Sequence, residues 1–312
     1  MTRRMDLSIL EEFVSSVFIA IRNEEPLDEI SKSIKSNIIK KLSSEWNNVD
    51  ASKLLDLARS IQENVIDGLV KMGFTVARVK AELRSKGLVG ISSGSFKTIF
   101  EVGLNIDPII GLPYYPASSI KGLVRSAFEK HYSEEFRDEE LESIEKFLFG
   151  VEGSEETGIG ILKFFDAYPI GCSKRVKNCS VYTGAVVTPH YYKGGEVVDT
   201  ELDAMPIPVV HLAISPGLVY EFIIAAMEGE ILEAIQKDSV FKEYIEALRE
   251  TSKNGCGNLS KLVLKEIMKI LMKELRSGGF ARGSKGYNVF EPQDELLDDL
   301  RGKVRFFSIT IE

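Results

Sequence analysis

Ten consecutive residues, Gly278-Gly-Phe-Ala-Arg-Gly-Ser-Lys-Gly-Tyr287, combine four glycines, two cations, a serine and two aromatics. Glycines let backbone N–H groups approach a phosphate closely. That makes Gly279, Gly283 and Gly286 candidate backbone contacts. Arg282 and Lys285 supply charge, Ser284 a hydroxyl, and Tyr287 a ring that can stack on a base. The Gly278-to-Gly283 spacing resembles a P-loop, but Ser-Lys stands where Lys-Ser or Lys-Thr is required. A helix also precedes it, where a P-loop follows a strand. The chemistry offered is polyanion binding without nucleotide hydrolysis.

A second anion site lies in Gly111-Leu-Pro-Tyr-Tyr-Pro-Ala-Ser-Ser-Ile-Lys-Gly-Leu-Val-Arg125. Ser118 and Ser119 can cap a helix there. Lys121 and Arg125 follow one turn apart, and the helix start adds partial positive charge. Further on, Lys261, Lys265, Lys269 and Lys273 repeat every four residues, with Arg276 beyond. Glu266 and Glu274 dilute this stripe, which reads as a solvated helix face.

Catalytic groups are sparse. The histidines are His131, His190 and His211. His131 reads as a surface residue and His211 as core. His190, beside Pro189, Tyr191 and Tyr192, is the candidate acid or base for RNA cleavage. Asp107 precedes Pro108 and reads as a turn former; a lone carboxylate is a poor metal site. Asp166 reads as structural and needs a buried partner. Cys172, Cys179 and His190 are too widely spaced for a zinc knuckle. No catalytic residue, metal or cofactor is assigned.

These groups must be held by a mixed scaffold. Leu10, Phe13, Val14, Val17 and Ile21 recur at helical spacing, as do Leu27, Ile30, Ile34 and Ile38 after Pro26. A third stripe runs Leu54, Ala58, Ile61, Val65 and Leu69, ending at Gly73. From Ala77 the period changes to two, the mark of a strand. A helix follows, with Ile120, Leu123, Val124, Ala127 and Phe128 on one face. Residues 158–167 read as a strand, 168–206 as a long loop, and 207–213 and 218–227 as two strands around Pro216-Gly217. The clearest helix is 259–276, closed by Gly278. A last strand spans 303–311. Without insertions near 133–157, 168–206 and 229–258, the order is βαββαβ. That is an α+β, ferredoxin-like (RRM-like) domain over 74–312, with a helical region over 1–73.

The 312 residues carry a net charge of −8 with 44% hydrophobic content, enough to bury a core, and the length fits about two domains or one large decorated domain. The charge is uneven. Segments 71–132 and 259–290, which hold the two anion motifs, are each +5, whereas 133–157 is −8 and 191–258 is −7. A local basic footprint on an acidic chain fits a polyanion. Three cysteines give no disulfide framework. No apolar run reaches the ~20 residues of a membrane span, and Glu11 and Glu12 interrupt the N-terminal apolar stretch. The expectation is a cytoplasmic protein that does not bind membranes.

The pattern Pro116-x-Ser118-Ser119-Ile120-Lys121-Gly122-x-x-Arg125 resembles the mark of the RAMP superfamily of CRISPR-associated proteins, with Ala117 where glycine is usual. The glycine-rich loop at 278–286, after a helix and before the last strand, is similar to the family's second mark. Phe164-Phe165-Asp166-Ala167-Tyr168-Pro169 and Val187-Thr188-Pro189-His190-Tyr191-Tyr192 resemble one subunit class of the type III-B (Cmr) effector complexes. The resemblance covers about 74–312. It implies a ferredoxin-like, non-nuclease subunit near the 3′ end of the guide RNA (crRNA). Its partners would be guide and target RNA and the other subunits of the complex. The implied RNA contacts are Ser118, Ser119, Lys121, Arg125, His190, Tyr191, Gly279, Arg282, Gly283, Ser284, Lys285, Gly286 and Tyr287. Two alternatives stand beside it: an endoribonuclease of this family using His190 or Asp107, since sibling subunits that cleave RNA carry an aspartate in a comparable loop, and a protein-only scaffold.

Overall fold

A computed structural model describes residues 51–90, 102–151, 158–176, 180–187, 209–251, 258–280 and 286–292. It also describes the pairs 192–193, 196–197 and 310–311 and isolated residues before 51. The first two expected helices lie outside the described residues.

Helix α1 (Ala51–Lys71) ends at Gly73, whose φ of +87° is a left-handed value that glycine adopts freely. Its buried face is Ala51, Leu55, Ala58, Gln62, Ile66 and Leu69. The stripe read from periodicity is therefore rotated by about one residue. Ile61 is exposed, and Gln62 is drawn inward because its amide donates to the main-chain carbonyls of Asp166 (3.2 Å) and Glu221 (3.3 Å). A buried polar group is tolerated when it is so bonded.

Strand β1 (Thr75–Leu83) pairs antiparallel along its length with β8 (Leu218–Ala226), from Thr75↔Ala226 to Glu82↔Val219. Outside β8 lie β2 (Lys163–Phe164) and β3 (Tyr168–Cys172). Outside β1 lie β9 (Phe290–Pro292) and β10 (Thr310–Ile311). Across the sheet the order by chain position is thus last, first, third, second. All nine residues of β8 are buried, because helices cover both faces.

One face carries Ala77, Val79, Ala81 and Leu83 against Tyr220, Phe222 and Ile224. It packs under α2 (Ala117–Tyr132) and α6 (Leu259–Ser277). The acidic segments form α3 (Asp138–Phe149), α4 (Glu228–Lys237) and α5 (Ser239–Thr251), which extend that layer. The opposite face carries Val76, Ile223 and Ala225 against Ile66 and Leu69 of α1. There Glu221 is fully buried, its Oε1 3.7 Å from Arg78 Nε. Arg78 also donates to both carboxylate oxygens of Glu63, at 2.9 and 2.8 Å.

Several expectations are corrected. Residues 168–206 are not one loop: they hold β3, β4 (Tyr182–Val187), and the short pair β5 (Tyr192–Lys193) and β6 (Glu196–Val197). The strands flanking Pro216-Gly217 do not pair. β7 (Val209–Ile214) pairs with β4, and Gly217, at φ +93°, turns the chain from that ribbon into the main sheet. Within 158–167 only Lys163–Phe164 is strand, because Gly160 packs against the backbone at the end of α3, where a Cβ would sit 2.6 Å from Gly150 N. The described part of the last strand is Thr310–Ile311, and the expected order lacks β9. Cys172 is disulfide-bonded, against the expectation of no disulfide; Cys179 and Cys256 lie outside the described residues. Among the described residues, no helix is long and apolar enough to cross a membrane.

Candidate nucleic-acid interface

Helix α2 positions the first motif. Its N-cap is Pro116, so Ser118 and Ser119 lie inside the first turn and do not cap. The helix start is already occupied: Ala117 N–H donates to Asp166 Oδ1 at 2.6 Å. Asp166 therefore supplies the negative charge that the helix dipole favours, and it finds the backbone partner its type demands. A phosphate at that spot would meet a carboxylate.

Arg125 is also engaged. Its Nε donates to Glu145 Oε2 of α3 at 2.9 Å. Glu145 is buried, and burial pushes its carboxyl above the ordinary range while Arg125 pulls it back. Arg125 thus forms an inter-helix ion pair through Nε, and 43% of its side chain remains exposed. The cause is tertiary: α3 folds back over α2. Arg125→Ala is expected to lower stability by about 1 kcal/mol, since the side chain is 43% exposed. It should leave the salt dependence of RNA binding unchanged. Urea melts and binding titrations across salt check both.

Two of the expected contacts, Ser119 and Gly279, meet at a groove of about 490 Å³, which Ser118 and Lys121 do not line. Ser119, Gly122, Ser126 and Lys130 of α2 line it, with Glu274 of α6, Gly279 and Phe280 of the glycine-rich loop, and Gly90 after β1. The sequence separates these groups by up to 190 residues; the fold brings them to one surface. The chain leaves the groove at Gly90 into 91–101 and at Phe280 into 281–285, both outside the described residues. Arg282, Gly283, Ser284 and Lys285 lie there, as do His190 and Tyr191.

The ends of the glycine-rich loop are anchored. Gly278 closes α6 at φ +73°, as expected. Gly279 sits close against side chains, where a Cβ would come within 2.6 Å of Leu123 Cδ1 and push that side chain aside, and its N–H donates to Glu274 O at 2.9 Å. Its reading as a phosphate donor is corrected. At the far end Gly286 takes φ +81°. Tyr287 is only 8% exposed, within a small cluster of Leu88, Val102, Ala185 and Ala213, so its ring is not a stacking platform. The apolar ring is drawn inward, with Oη 3.4 Å from His211 Nε2.

Sequence reasoning missed Asn288. It is fully buried, at φ +58°. Its Oδ1 accepts from Leu88 N–H and Tyr115 Oη, both at 2.7 Å, and its Nδ2 donates to Leu88 O at 2.8 Å. Asn is among the few non-glycine residues that visit the left-handed region. An asparagine just after Gly286-Tyr287 was the available signal.

Asp107 is a turn anchor. Its Oδ1 accepts from Ile109 and Ile110 N–H at 2.8 and 2.9 Å, and its Oδ2 from Tyr168 Oη at 2.8 Å. Burial and this carboxylate raise the Tyr168 phenol. His131 is exposed and His211 fully buried. Lys269 pairs with Glu266 at 2.7 Å within the α6 stripe. Among the described residues no group of three or more His, Cys, Asp or Glu could hold a metal ion.

Comparison with known proteins adds three findings. Residues 72–262 match the family model of the RAMP superfamily. The chain is 30% identical over 229 residues to the CRISPR system CMR subunit Cmr6 of Saccharolobus solfataricus. That match covers 73% of this chain and 62% of the relative's length. It also superposes with a TM-score of 0.58, at 27% identity, on a chain of the cryo-EM structure of the type III-B Cmr-beta bound to cognate target RNA. The superposition covers 87% of this chain and 76% of that one.

Proposed function

Because the chain belongs to the RAMP superfamily, we propose that it is a non-catalytic RNA-binding subunit of a type III-B RNA-guided effector complex. Its partners are guide RNA, target RNA and neighbouring subunits, in a cytoplasmic ribonucleoprotein. It contacts the 3′ part of the guide–target duplex. The Cmr6 relative and the target-RNA-bound neighbour support this reading. The strand order last, first, third, second supports a ferredoxin-like core within it.

The observation that carries the proposal is the groove between α2 and the end of α6. It brings residues of both family motifs to one surface, and the cation-bearing segment 281–285 follows Phe280 in the sequence. In the groove Ser119 and Ser126 offer hydroxyls and Lys130 charge, while Lys121 elsewhere on α2, Arg282 and Lys285 add phosphate contacts. Contacts of this kind hold the backbone and carry no base identity. Binding is therefore tolerant of sequence and sensitive to salt. The absence of catalysis is supported by Asp107, whose two oxygens are both committed to its own turn and to Tyr168.

The test is RNA binding by the purified chain across a salt series. Arg282→Ala/Lys285→Ala is expected to bind more weakly and to flatten the log–log salt slope by about 1.4, two contacts at ~0.7 each on a single strand. Equal affinity and slope would remove that loop from the RNA surface. RNA cleavage by the wild type that Asp107→Ala or His190→Ala abolishes would replace the binding role with a nuclease.

A further inference from the structure

A second groove, of about 560 Å³, lies on the opposite face of the sheet, between α1 and the β3 side. Arg59, Lys80, Lys174 and Arg175 line it, with the carboxylates Glu82 and Glu291. The carboxylates are neutralised locally. Arg84 meets Glu82 at 3.0 Å and Glu291 at 3.3 Å; Arg175 meets them at 4.0 and 3.1 Å. Arg59 pairs with Asp56 on its own helix at 3.0 Å, and its other nitrogen donates to Ile170 O, which fixes the guanidinium at the groove wall. Lys80 and Lys174 make no ion pair with any described residue. Across the sheet the register partner of Lys80 is Glu221, which is fully buried, lies 3.7 Å from Arg78 and feels the charge of both Arg78 and Lys80.

We infer that this groove holds the phosphodiester backbone of a second stretch of single-stranded RNA, an inference that rests on the RNA-subunit reading above. Two features favour RNA over a protein partner. The apolar lining residues Ile170 and Val219 are buried, so the groove presents no exposed apolar anchor of the kind protein interfaces are built on. What it presents instead is charge on a rigid strand, the polar and positive character of nucleic-acid interfaces. Lys80 sits on β1, whose alternation points it away from the α2–α6 layer. The two RNA-binding surfaces therefore lie on opposite sides of one sheet.

The experiment is an anisotropy titration of the full chain with a labelled single-stranded oligouridylate between about 50 and 200 mM salt. Lys80→Ala/Lys174→Ala is expected to flatten the slope by about 1.4 and to bind roughly 25-fold more weakly near 0.1 M salt. Lys80→Arg/Lys174→Arg keeps the charge and is expected to keep the wild-type slope, which separates charge from misfolding. Wild-type slope and affinity in the alanine pair overturns the inference, and so does an arginine pair that loses slope equally. If only Arg282→Ala/Lys285→Ala weakens binding, the RNA reading stands and this groove is excluded from it. If neither pair moves the slope, both fail. If the alanine pair keeps RNA but loses binding to poly-glutamate, the groove docks protein and the inference falls.

Discussion

Arg78→Met is expected to destabilise the fold by about 3 kcal/mol at neutral pH, and by less in acid. Arg78 is the cation beneath α1: it holds Glu63 with two hydrogen bonds and lies 3.7 Å from Glu221. Glu221 is fully buried, and neither of its carboxylate oxygens has a hydrogen-bond partner. Removing one member of a buried pair leaves an uncompensated charge, at a cost of about 3–5 kcal/mol. The lower end applies here because Glu221 can take up a proton. Burial already raises its carboxyl above the ordinary range, and Arg78 is the strongest opposing influence. A carboxyl raised by folding stabilises the fold at pH below its unfolded value, and that stability is lost as pH climbs through the raised one. Without Arg78 the raised value climbs further, so the damage should grow from acid toward neutral pH. Adding Glu221→Gln should recover most of the loss. Urea melts at several pH values check this. A pH-independent loss, or no rescue by glutamine, would assign the effect to Glu63 and the docking of α1 alone.

Asn288→Ala is expected to cost about 4 kcal/mol. The alanine leaves Leu88 N–H, Leu88 C=O and Tyr115 Oη buried without their partner, each worth about 1 kcal/mol or more. Alanine also tolerates the left-handed φ of +58° less well than asparagine, adding about 1 kcal/mol. Asn288→Gly separates the two, since it removes the bonds but relieves the backbone; it should be about 1 kcal/mol less harmful. RNA affinity should fall with Asn288→Ala, because this residue anchors the outgoing end of the glycine-rich loop. A loss under about 1 kcal/mol would show that the three bonds contribute little in solution.

How legible the fold was depended on how local each signal is. The breaks at Gly73 and Gly278, the period change at β1 and the apolar face of α2 are written in neighbouring residues, and the structure has them where the pattern puts them. Pairing is not local. Nothing near Val209 says that it joins β4 rather than β8 across a Pro-Gly turn. The site divides the same way. That 118–125 and 278–287 carry anion chemistry was visible, and the fold brings Ser119 and Gly279 to one groove. Which cations remain for a ligand was not visible. Glu145 takes Arg125 from another helix, and Asp166 takes the start of α2 from the connection between β2 and β3. Tyr287 looked like a stacking residue because composition cannot tell an exposed ring from one filling a cluster.

The pairing of β1 with β8 also sets the order in which the chain can be completed. Thr75 meets Ala226, so the central strand pair closes across some 150 residues. During synthesis β1 emerges long before its partner, with Ala77, Val79 and Ala81 bare on one side. Its other edge is finished only by β9 and β10, more than 200 residues further on. Closure over such distances is slow, and an unpaired strand edge invites association with other chains. The nascent protein thus carries an open central strand while the residues between β1 and its partners are made, a period in which a chaperone, or a partner already assembled, has the most to shield.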